Sequence, residues 1–265
     1  MKQAIAEADN IIIGAGAGLS TAAGLDYAGA DFRSEFKPWI EKYGVEDLYS
    51  LGFYPFATPE ESWAHWAKHI WFCRYRTGAL PLYRLLNKTF PTAFVVTTNT
   101  DGQFEQAGYS TDSIFATQGD YGLFQPASGN PKVLLSNRKW VMDTLPAIHD
   151  CSIPTQQIPS MPDGSAVSVN LRIDDTFVED SHWHRQAERY KEFVADASQG
   201  KLLLLEFGIG YNTPGIIRLP FEQMAQRFRH TTLVRFNRGL PDPYIENLPR
   251  FVAFTEDIQS IISQL

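Results

Sequence analysis

The sequence predicts an α/β fold: a parallel sheet covered by helices on both faces, with a smaller lobe inserted into it. Five apolar runs of strand length, each near helix-forming residues, carry this prediction: residues 10–13, 93–97, 201–207, 231–236 and 251–254. Such strands indicate burial on both faces, because an exposed face would require polar residues at alternate positions. Ligands usually bind at the carboxyl ends of these strands.

Two stretches interrupt the alternation and are assigned to the smaller lobe. Residues 31–84 are crowded with aromatic side chains, and residues 126–184 are rich in Pro, Ser, Gly and Asn. We therefore predict one catalytic domain over residues 1–265 rather than two independent units. Its core is expected mainly in residues 1–30, 85–125 and 185–265.

Composition excludes several classes of protein. The net charge is −7 and no Lys/Arg run could neutralise a phosphate backbone, so no nucleic-acid partner is expected. No stretch approaches the roughly 20 apolar residues of a membrane span, and the amino terminus lacks the pattern of a signal peptide. Cys73 and Cys151 form no CxxC pair, which argues against a disulfide framework and a thiolate zinc site. A cytoplasmic protein without membrane contact is expected.

The run GAGAGLS at residues 14–20 follows the first strand. Glycines there let the backbone approach a ligand, and free amides at a helix start favour a phosphate. The motif is not a complete GxGxxG fingerprint, because Leu19 and Thr21 stand where the last glycine would fall. A turn required only for packing remains the alternative on this motif alone.

Three further motifs follow in order. FVVTTNTDG at residues 94–102 places Asn99 and Asp101 after a strand, EFGIGYNTP follows at residues 206–214, and VRFNRG contains Asn237. Together with GAGLS they resemble the sirtuin family. The resemblance implies a Rossmann-like core and NAD as cofactor. The cofactor-binding residues that it implies are Gly14, Ala15, Gly16, Ala17, Gly18, Ser20, Asn99, Asp101, Gln118, Gly208, Gly210, Asn212 and Asn237.

The resemblance has three departures. Gln118, in FATQGDYG, stands where sirtuins carry a catalytic histidine, and a neutral amide can orient a substrate but has no useful basicity. The cysteines of the family's zinc ribbon are missing, so no metal is expected and the lobe must be held by packing. Residues 177–180, FVED, replace the strand with which sirtuins pair an acyl-lysine peptide.

Four features look like the macrodomain-linked class (class M) of microbial sirtuins: GAGLSTAAGL without a following P-D-F-R, the segment at residues 53–56, TQGDYGLFQ, and DDTFVED followed by WH. The missing zinc cysteines set the chain at the edge of that class. That resemblance implies an ADP-ribosyltransferase with Asn99, Asp101 and Gln118 as catalytic residues. It further implies a protein acceptor, in that class a lipoylated carrier similar to the glycine-cleavage H protein, and a macrodomain protein as a second partner. An NAD-dependent deacylase, an NAD glycohydrolase and a non-catalytic NAD sensor remain the alternatives.

A site model follows from these residues. The amides from Gly16 to Ser20 are expected to hold the pyrophosphate of NAD, and Asn99 and Asp101 to lie near the nicotinamide amide. Asp120 or Glu179 is the candidate proton acceptor. His182 and His184 are not expected to bind a metal, because a helix predicted to begin near His182 would point residues i and i+2 apart.

Overall fold

The computed structural model describes residues 2–211 and 214–265, which form two compact units. The first unit runs to Gly24 and continues in Ala79–Gly119 and Ser181–Leu265, and the second comprises Leu25–Gly78 and Asp120–Asp180.

The first unit contains a six-stranded parallel sheet. Its strands are β1 (Asn10–Ala15), β2 (Phe94–Thr97), β3 (Ile114–Ala116), β7 (Leu202–Phe207), β8 (Thr231–Phe236) and β9 (Phe251–Phe254). The order is β3-β2-β1-β7-β8-β9, and every neighbouring pair is parallel. The predicted parallel α/β sheet is confirmed. Only β3 was not foreseen, because three residues are too few to show a periodicity.

Helices cover both faces of this sheet. They are α1 (Lys2–Glu7), α2 (Ala17–Ala22), α7 (Pro81–Thr89), α8 (Gln103–Gln106), α10 (Ser181–Ala197), α11 (Arg218–Arg227) and α12 (Ile258–Ile262). Successive strand residues point to opposite faces. Ile13 therefore joins the core beneath α2, α7, α8 and α12, while Ile12 joins the core beneath α10 and α11. Both residues are fully buried, which explains the apolar runs in the sequence.

The second unit combines helices with a small sheet. Its helices are α3 (Ala30–Glu35), α4 (Lys37–Tyr43), α5 (Leu48–Gly52), α6 (Pro59–Ile70), which continues into a π-helix (Trp71–Tyr75), and α9 (Arg138–Thr144). Three strands, β4 (Gly119–Pro126), β5 (Leu135–Ser136) and β6 (Val167–Leu171), form a sheet of order β5-β4-β6. The sequence did not indicate this sheet, because β4 contains two glycines, an aspartate and a proline, all unfavourable in strands.

Buried amides and aromatic rings hold the second unit together. Asn137, fully buried, donates to the carbonyl oxygen of Tyr121 at 2.7 Å and accepts from the hydroxyl of Tyr75 at 2.8 Å. The ring of Trp63 packs edge-on against the rings of Phe124 and Trp140, at centroid distances of 5.6 and 5.5 Å. These contacts connect α6, the π-helix, α9 and β4.

Across residues 2–211 and 214–265, no helix has both the length and the apolar character required to cross a membrane.

Candidate active site

The first glycine loop is tighter than the sequence indicated. β1 continues to Ala15 and α2 begins at Ala17, so Gly16 alone forms the turn, in an extended conformation. The sequence led us to expect the strand to end at Ile13 and the helix to begin near Leu19, so each boundary lies two residues closer to Gly16 than expected. They are closer because Gly14 and Ala15 remain in register with the last two residues of β7.

Two glycine loops pack backbone against backbone. A Cβ atom on Gly208 would lie 2.5 Å from the carbonyl carbon of Gly18, and Gly208 has a positive φ of 60°. Both residues must therefore be glycine. Gly14 has a different reason: its Cβ would lie 2.5 Å from Cγ2 of Ile217, just before α11. Gly14 thus makes room for α11 and not for a ligand, which corrects its predicted role.

The predicted amide cradle is also smaller than expected. The amides of Gly16 and Gly18 donate to the carbonyl oxygens of Phe207 and Gly208, each at 3.0 Å, and the amide of Leu19 donates to that of Gly16 at 2.9 Å. These three amides hold the fold together and are not available to a pyrophosphate. The amide of Ala17, at the first helical position, has no backbone partner in the described chain. Among the amides from Gly16 to Leu19, the predicted pyrophosphate contact therefore narrows to that of Ala17.

Asn99 lies in a hydrogen-bonded network that joins β2 to α2 and α7. Its Nδ2 donates to the carbonyl oxygen of Gly16 at 3.0 Å, to Oγ of Ser20 at 3.1 Å and to the hydroxyl of Tyr83 at 3.2 Å. Oδ1 of Asn99 accepts no hydrogen bond from the residues that the structure describes. The network therefore fixes the side chain and leaves its one acceptor atom available.

Asp101 belongs to the same network and is only 4% exposed. One oxygen accepts from Oγ of Ser20 at 2.5 Å, and the other accepts from the amide of Gln103 at 3.0 Å. Both oxygens are therefore occupied by protein donors. Asp101 therefore holds Ser20 and, through Ser20, Asn99, while its expected place near the nicotinamide amide stays a prediction.

Tyr83 is a member of this network that sequence reasoning missed. Its hydroxyl lies 2.7 Å from Oγ of Ser20 and is completely buried. Burial, followed by the charge of Asp101, holds the pKa of Tyr83 well above its usual value, so the hydroxyl remains protonated. The sequence of an amphipathic helix does not show that one of its tyrosines belongs to such a network, because Tyr83 meets Ser20 only in the folded chain.

A cavity of about 560 Å³ opens beside the two glycine loops in the first unit. Its lining includes Ala17 and Gly18 from α2, and Gly208 and Gly210 from the loop after β7. The remaining wall comes from residues 236–240 after β8 and residues 256–258 at the start of α12. The cavity therefore lies at the carboxyl ends of the strands, where the sequence predicted a ligand. Gly14, Ala15, Gly16 and Ser20 lie outside this lining.

Asn237 lines the cavity and also connects two of its loops. Its Nδ2 donates to the carbonyl oxygen of Ile209 at 2.7 Å, and its Oδ1 accepts from the amides of Gly239 at 3.2 Å and Leu240 at 2.9 Å. A Cβ on Gly210 would meet open space. Asn212, the remaining predicted residue of this loop, lies outside the described residues.

Gln118 follows β3 at the edge of the sheet. The preceding residue, Thr117, ties this turn to β2 through its amide and hydroxyl, which donate to the carbonyl oxygen of Thr97 at 2.9 and 3.0 Å. Gly119 then takes a positive φ of 97°. The side chain of Gln118 is half-buried, and within the described chain it makes no hydrogen bond. Its amide can orient a substrate group.

The two candidate proton acceptors are both held by arginines of the second unit. Arg74 donates to Asp120 through two nitrogens, at 2.9 and 3.1 Å. Arg172 donates to Glu179 at 2.5 Å. Each carboxylate is therefore held in place by an arginine, and its role as proton acceptor stays a prediction. The 177–180 segment forms no strand, and its Phe177 and Val178 are buried.

The fold of this chain is similar to that of solved sirtuin structures. No protein-family model matches the chain. A solved sirtuin structure, determined in work on sirtuin substrate affinity, superimposes with a TM-score of 0.63 at 16% identity, covering 99% of this chain and 95% of the other. A Sir2 complex with a p53 peptide and NAD⁺ gives a TM-score of 0.57 at 13% identity, covering 99% and 94%. The fold is therefore the sirtuin fold.

Sequence relatives define the family. A protein ADP-ribosyltransferase of Staphylococcus aureus is 31% identical over 270 residues, which cover 99% of this chain and 85% of the relative. A probable bifunctional ADP-ribose hydrolase/ADP-ribosyltransferase of Fusarium oxysporum is 30% identical over 236 residues, covering 84% of this chain and 39% of that longer protein. The chain belongs to the family of NAD-dependent protein ADP-ribosyltransferases.

The cavity suits the cofactor of this family. NAD carries a diphosphate and two riboses, which require backbone donors and a close approach to the protein. The Ala17 amide, the side-chain-free surfaces of Gly18, Gly208 and Gly210, and the volume of about 560 Å³ meet those requirements. The residues present therefore fit NAD.

Proposed function

We propose that this chain transfers ADP-ribose from NAD to a protein acceptor with Asn99 and Gln118 as the residues that orient the reacting ribose. One observation carries the proposal: three hydrogen bonds anchor the amide nitrogen of Asn99, and they leave its Oδ1 as an oriented acceptor at the carboxyl end of β2. Because this oxygen is already oriented, it can act in the reaction without the energetic cost of rearranging.

Each residue has a distinct task. NAD, when bound, would supply the bond between nicotinamide and C1′ of its ribose. Cleavage of that bond would release nicotinamide and leave C1′ open to attack by the acceptor. Ala17, Gly18, Gly208, Gly210 and Asn237 bind the nucleotide. Oδ1 of Asn99 accepts a hydrogen bond from a ribose hydroxyl, and the carboxamide of Gln118 accepts or donates one. Asp101, Ser20 and Tyr83 position Asn99.

Gln118 favours transfer over deacylation. A carboxamide is neutral at pH 7 and removes no proton from a ribose hydroxyl, which is the step for which a deacylase requires an imidazole. Transfer to a strong nucleophile does not depend on that step. Deacylase activity is therefore expected to be weak.

For the acceptor we propose a lipoylated carrier protein, following the resemblance to class M sirtuins. A macrodomain protein that removes the modification is the proposed second partner. The Fusarium relative supports this pairing, since its name joins an ADP-ribose hydrolase and an ADP-ribosyltransferase in one protein. The cytoplasm is the proposed location, because Cys73 and Cys151 are buried and neither takes part in a disulfide bond within the described chain.

Intact mass spectrometry with isotope-labelled NAD tests the function. We expect the wild type to add one ADP-ribose to a lipoylated carrier and none to the same carrier without lipoate. Asn99→Ala and Gln118→Ala should each lower the rate about 100-fold, the usual cost of losing one oriented donor or acceptor. Gln199→Ala, at an exposed glutamine after α10, is the matched control and should retain full activity.

The competing functions give different products. Nicotinamide released at the same rate with and without carrier would identify a glycohydrolase, and loss of acyl groups from a peptide would identify a deacylase. Tight NAD binding with no nicotinamide released would identify a sensor. Any of these results would overturn the transferase mechanism.

A further inference from the structure

Four charged side chains are buried together behind the nucleotide cavity. Glu206 of β7, Arg218 and Glu222 of α11, and Arg235 of β8 are each at most 1% exposed, and we call them the buried ion cluster. They balance as two positive and two negative charges. Arginine stays protonated in a protein, so the two positive charges persist at every physiological pH.

Glu206 and Arg235 form the centre of the buried ion cluster. Arg235 donates to both oxygens of Glu206 at 2.9 Å and to Oε1 of Glu222 at 2.6 Å. Arg218 donates from Nε to Glu206 at 3.2 Å. Each ion therefore has a partner of opposite charge.

Stability alone does not explain such a cluster. The desolvation of buried ions opposes their attraction, and replacing a buried ion pair with apolar side chains is often neutral or even stabilising. The cluster also forms hydrogen bonds to backbone groups outside it, and these groups indicate its role.

Those groups all belong to residues 240–245, part of the segment between β8 and β9. Arg218 Nη2 donates to the carbonyl oxygen of Leu240 at 2.5 Å, and Arg235 Nη1 donates to that of Asp242 at 2.8 Å. Glu222 Oε2 accepts from the amides of Tyr244 and Ile245, each at 2.9 Å. Within the described chain, residues 240–244 make no hydrogen bond to another backbone group.

This segment begins at Leu240, the residue that joins it to a wall of the nucleotide cavity. Asn237 to Leu240 line it, and Leu240 is held from both sides, by Asn237 at its amide and by Arg218 at its carbonyl oxygen. We therefore infer that the buried ion cluster is a positioning device for NAD. It holds residues 237–245, which we call the cavity-wall segment, in the conformation that binds the nucleotide.

The inference rests on the proposed role of this cavity in NAD binding. It assigns positioning residues, because none of the four ions lines the cavity. Arg218 has the most direct connection, through Leu240. Its loss should weaken NAD binding while leaving the reacting groups on β2 and after β3 in place.

Arg218→Lys tests the inference at constant charge. The ammonium group can still pair with Glu206, but a lysine has no second nitrogen with which to reach Leu240 as well. We expect the KM for NAD to rise about tenfold, the usual cost of one hydrogen bond from a charged donor, with kcat within about twofold of the wild type. Hydrogen exchange at the amides of Tyr244 and Ile245 should become faster.

Phe90→Leu is the control. Phe90 is buried at the end of α7, before β2, on the amino-terminal side of the sheet. It should lower the melting temperature and change neither the KM nor the exchange at Tyr244 and Ile245. Should Arg218→Lys fail to fold, Arg218→Met combined with Glu206→Gln removes the Leu240 contact and keeps the charges of the cluster balanced.

The outcomes are distinguishable. A folded Arg218→Lys with an unchanged KM, or a Phe90→Leu with an equal rise in KM, overturns the positioning role and leaves the proposed function intact. Titration calorimetry of the wild type with NAD tests whether the protein binds NAD at all. A wild type that binds no NAD overturns the proposed function and the positioning role together.

Discussion

The Asn99 side chain shows how one residue can be fixed by its surroundings and still be available for chemistry. Its nitrogen donates to three oxygens that come from the loop after β1, from α2 and from α7. A side chain held this way loses little freedom when a substrate binds, so its orientation costs little in the transition state. The partner that completes the arrangement is the hydroxyl of Tyr83.

Tyr83→Phe tests that hydroxyl. It removes one partner each from Ser20 and Asn99 and should destabilise the protein by about 1 kcal/mol. We expect ADP-ribosyl transfer to slow about tenfold, because Asn99 gains freedom. Rates from single-turnover experiments and urea denaturation check both effects.

Tyr109→Phe is the matched control, since Tyr109 is buried in the same core and its hydroxyl has no partner in the described chain. It should leave both the rate and the stability unchanged or slightly improved. A transfer rate for Tyr83→Phe equal to that of the wild type would contradict the proposed role of the network.

At the scale of elements, α6 contains a buried histidine pair. Nε2 of His65 lies 3.1 Å from Nδ1 of His69, and the rings pack among Tyr27, Phe56 and Tyr121. Burial lowers the pKa of His69 to about 3 and, with the neighbouring imidazole, holds the pKa of His65 well below its usual value. Both imidazoles are therefore neutral in the folded protein at physiological pH.

The pH dependence of unfolding follows from this pair. Below about pH 6.5 the unfolded chain binds protons that the folded chain does not, so stability present at neutral pH is lost as the pH falls. Each histidine contributes about 1.4 kcal/mol per pH unit below that point. Urea denaturation between pH 7.5 and 5.5 measures the slope. His69→Phe should reduce it, whereas His182→Asn, on the exposed surface of α10, should not.

The contact between the two glycine loops gives a second prediction at this scale. Gly208→Ala combines a positive φ with a Cβ only 2.5 Å from the backbone of Gly18. We expect a loss of about 2 kcal/mol or more in the free energy of unfolding, with weaker NAD binding. Gly210→Ala is the control, because its Cβ would meet open space. Equal stability of the two variants would show that the loops tolerate separation.

At the scale of the whole molecule, the sequence predicted the elements whose pattern is local. The isoleucines of β1 and the leucines of β7 form short apolar runs that lie in the buried sheet, and motif order indicated the sirtuin fold. β4 was missed because its residues are poor strand formers, and β3 because of its length. Tyr83 and the buried ion cluster were missed for a different reason: their partners lie far away in sequence, and no spacing rule connects Arg218 to Leu240 or Tyr83 to Ser20.

The same limit explains the errors at the glycine loop. The sequence correctly placed a tight turn after β1, but it could not show that Phe207 and Gly208 already occupy the amides of Gly16 and Gly18. Gly14 resembled a ligand-binding glycine and instead accommodates α11. Glycines required by close packing and glycines required by a ligand look identical in one sequence.

The contact between Gly18 and Gly208 has a consequence for biosynthesis. The carbonyl groups of Phe207 and Gly208 that bind the amides of the first loop are translated long after the loop itself. A nascent chain that ends before β7 lacks these acceptors and most of the residues that line the nucleotide cavity. Cofactor therefore cannot assist folding until β7, β8 and the start of α12 have been translated.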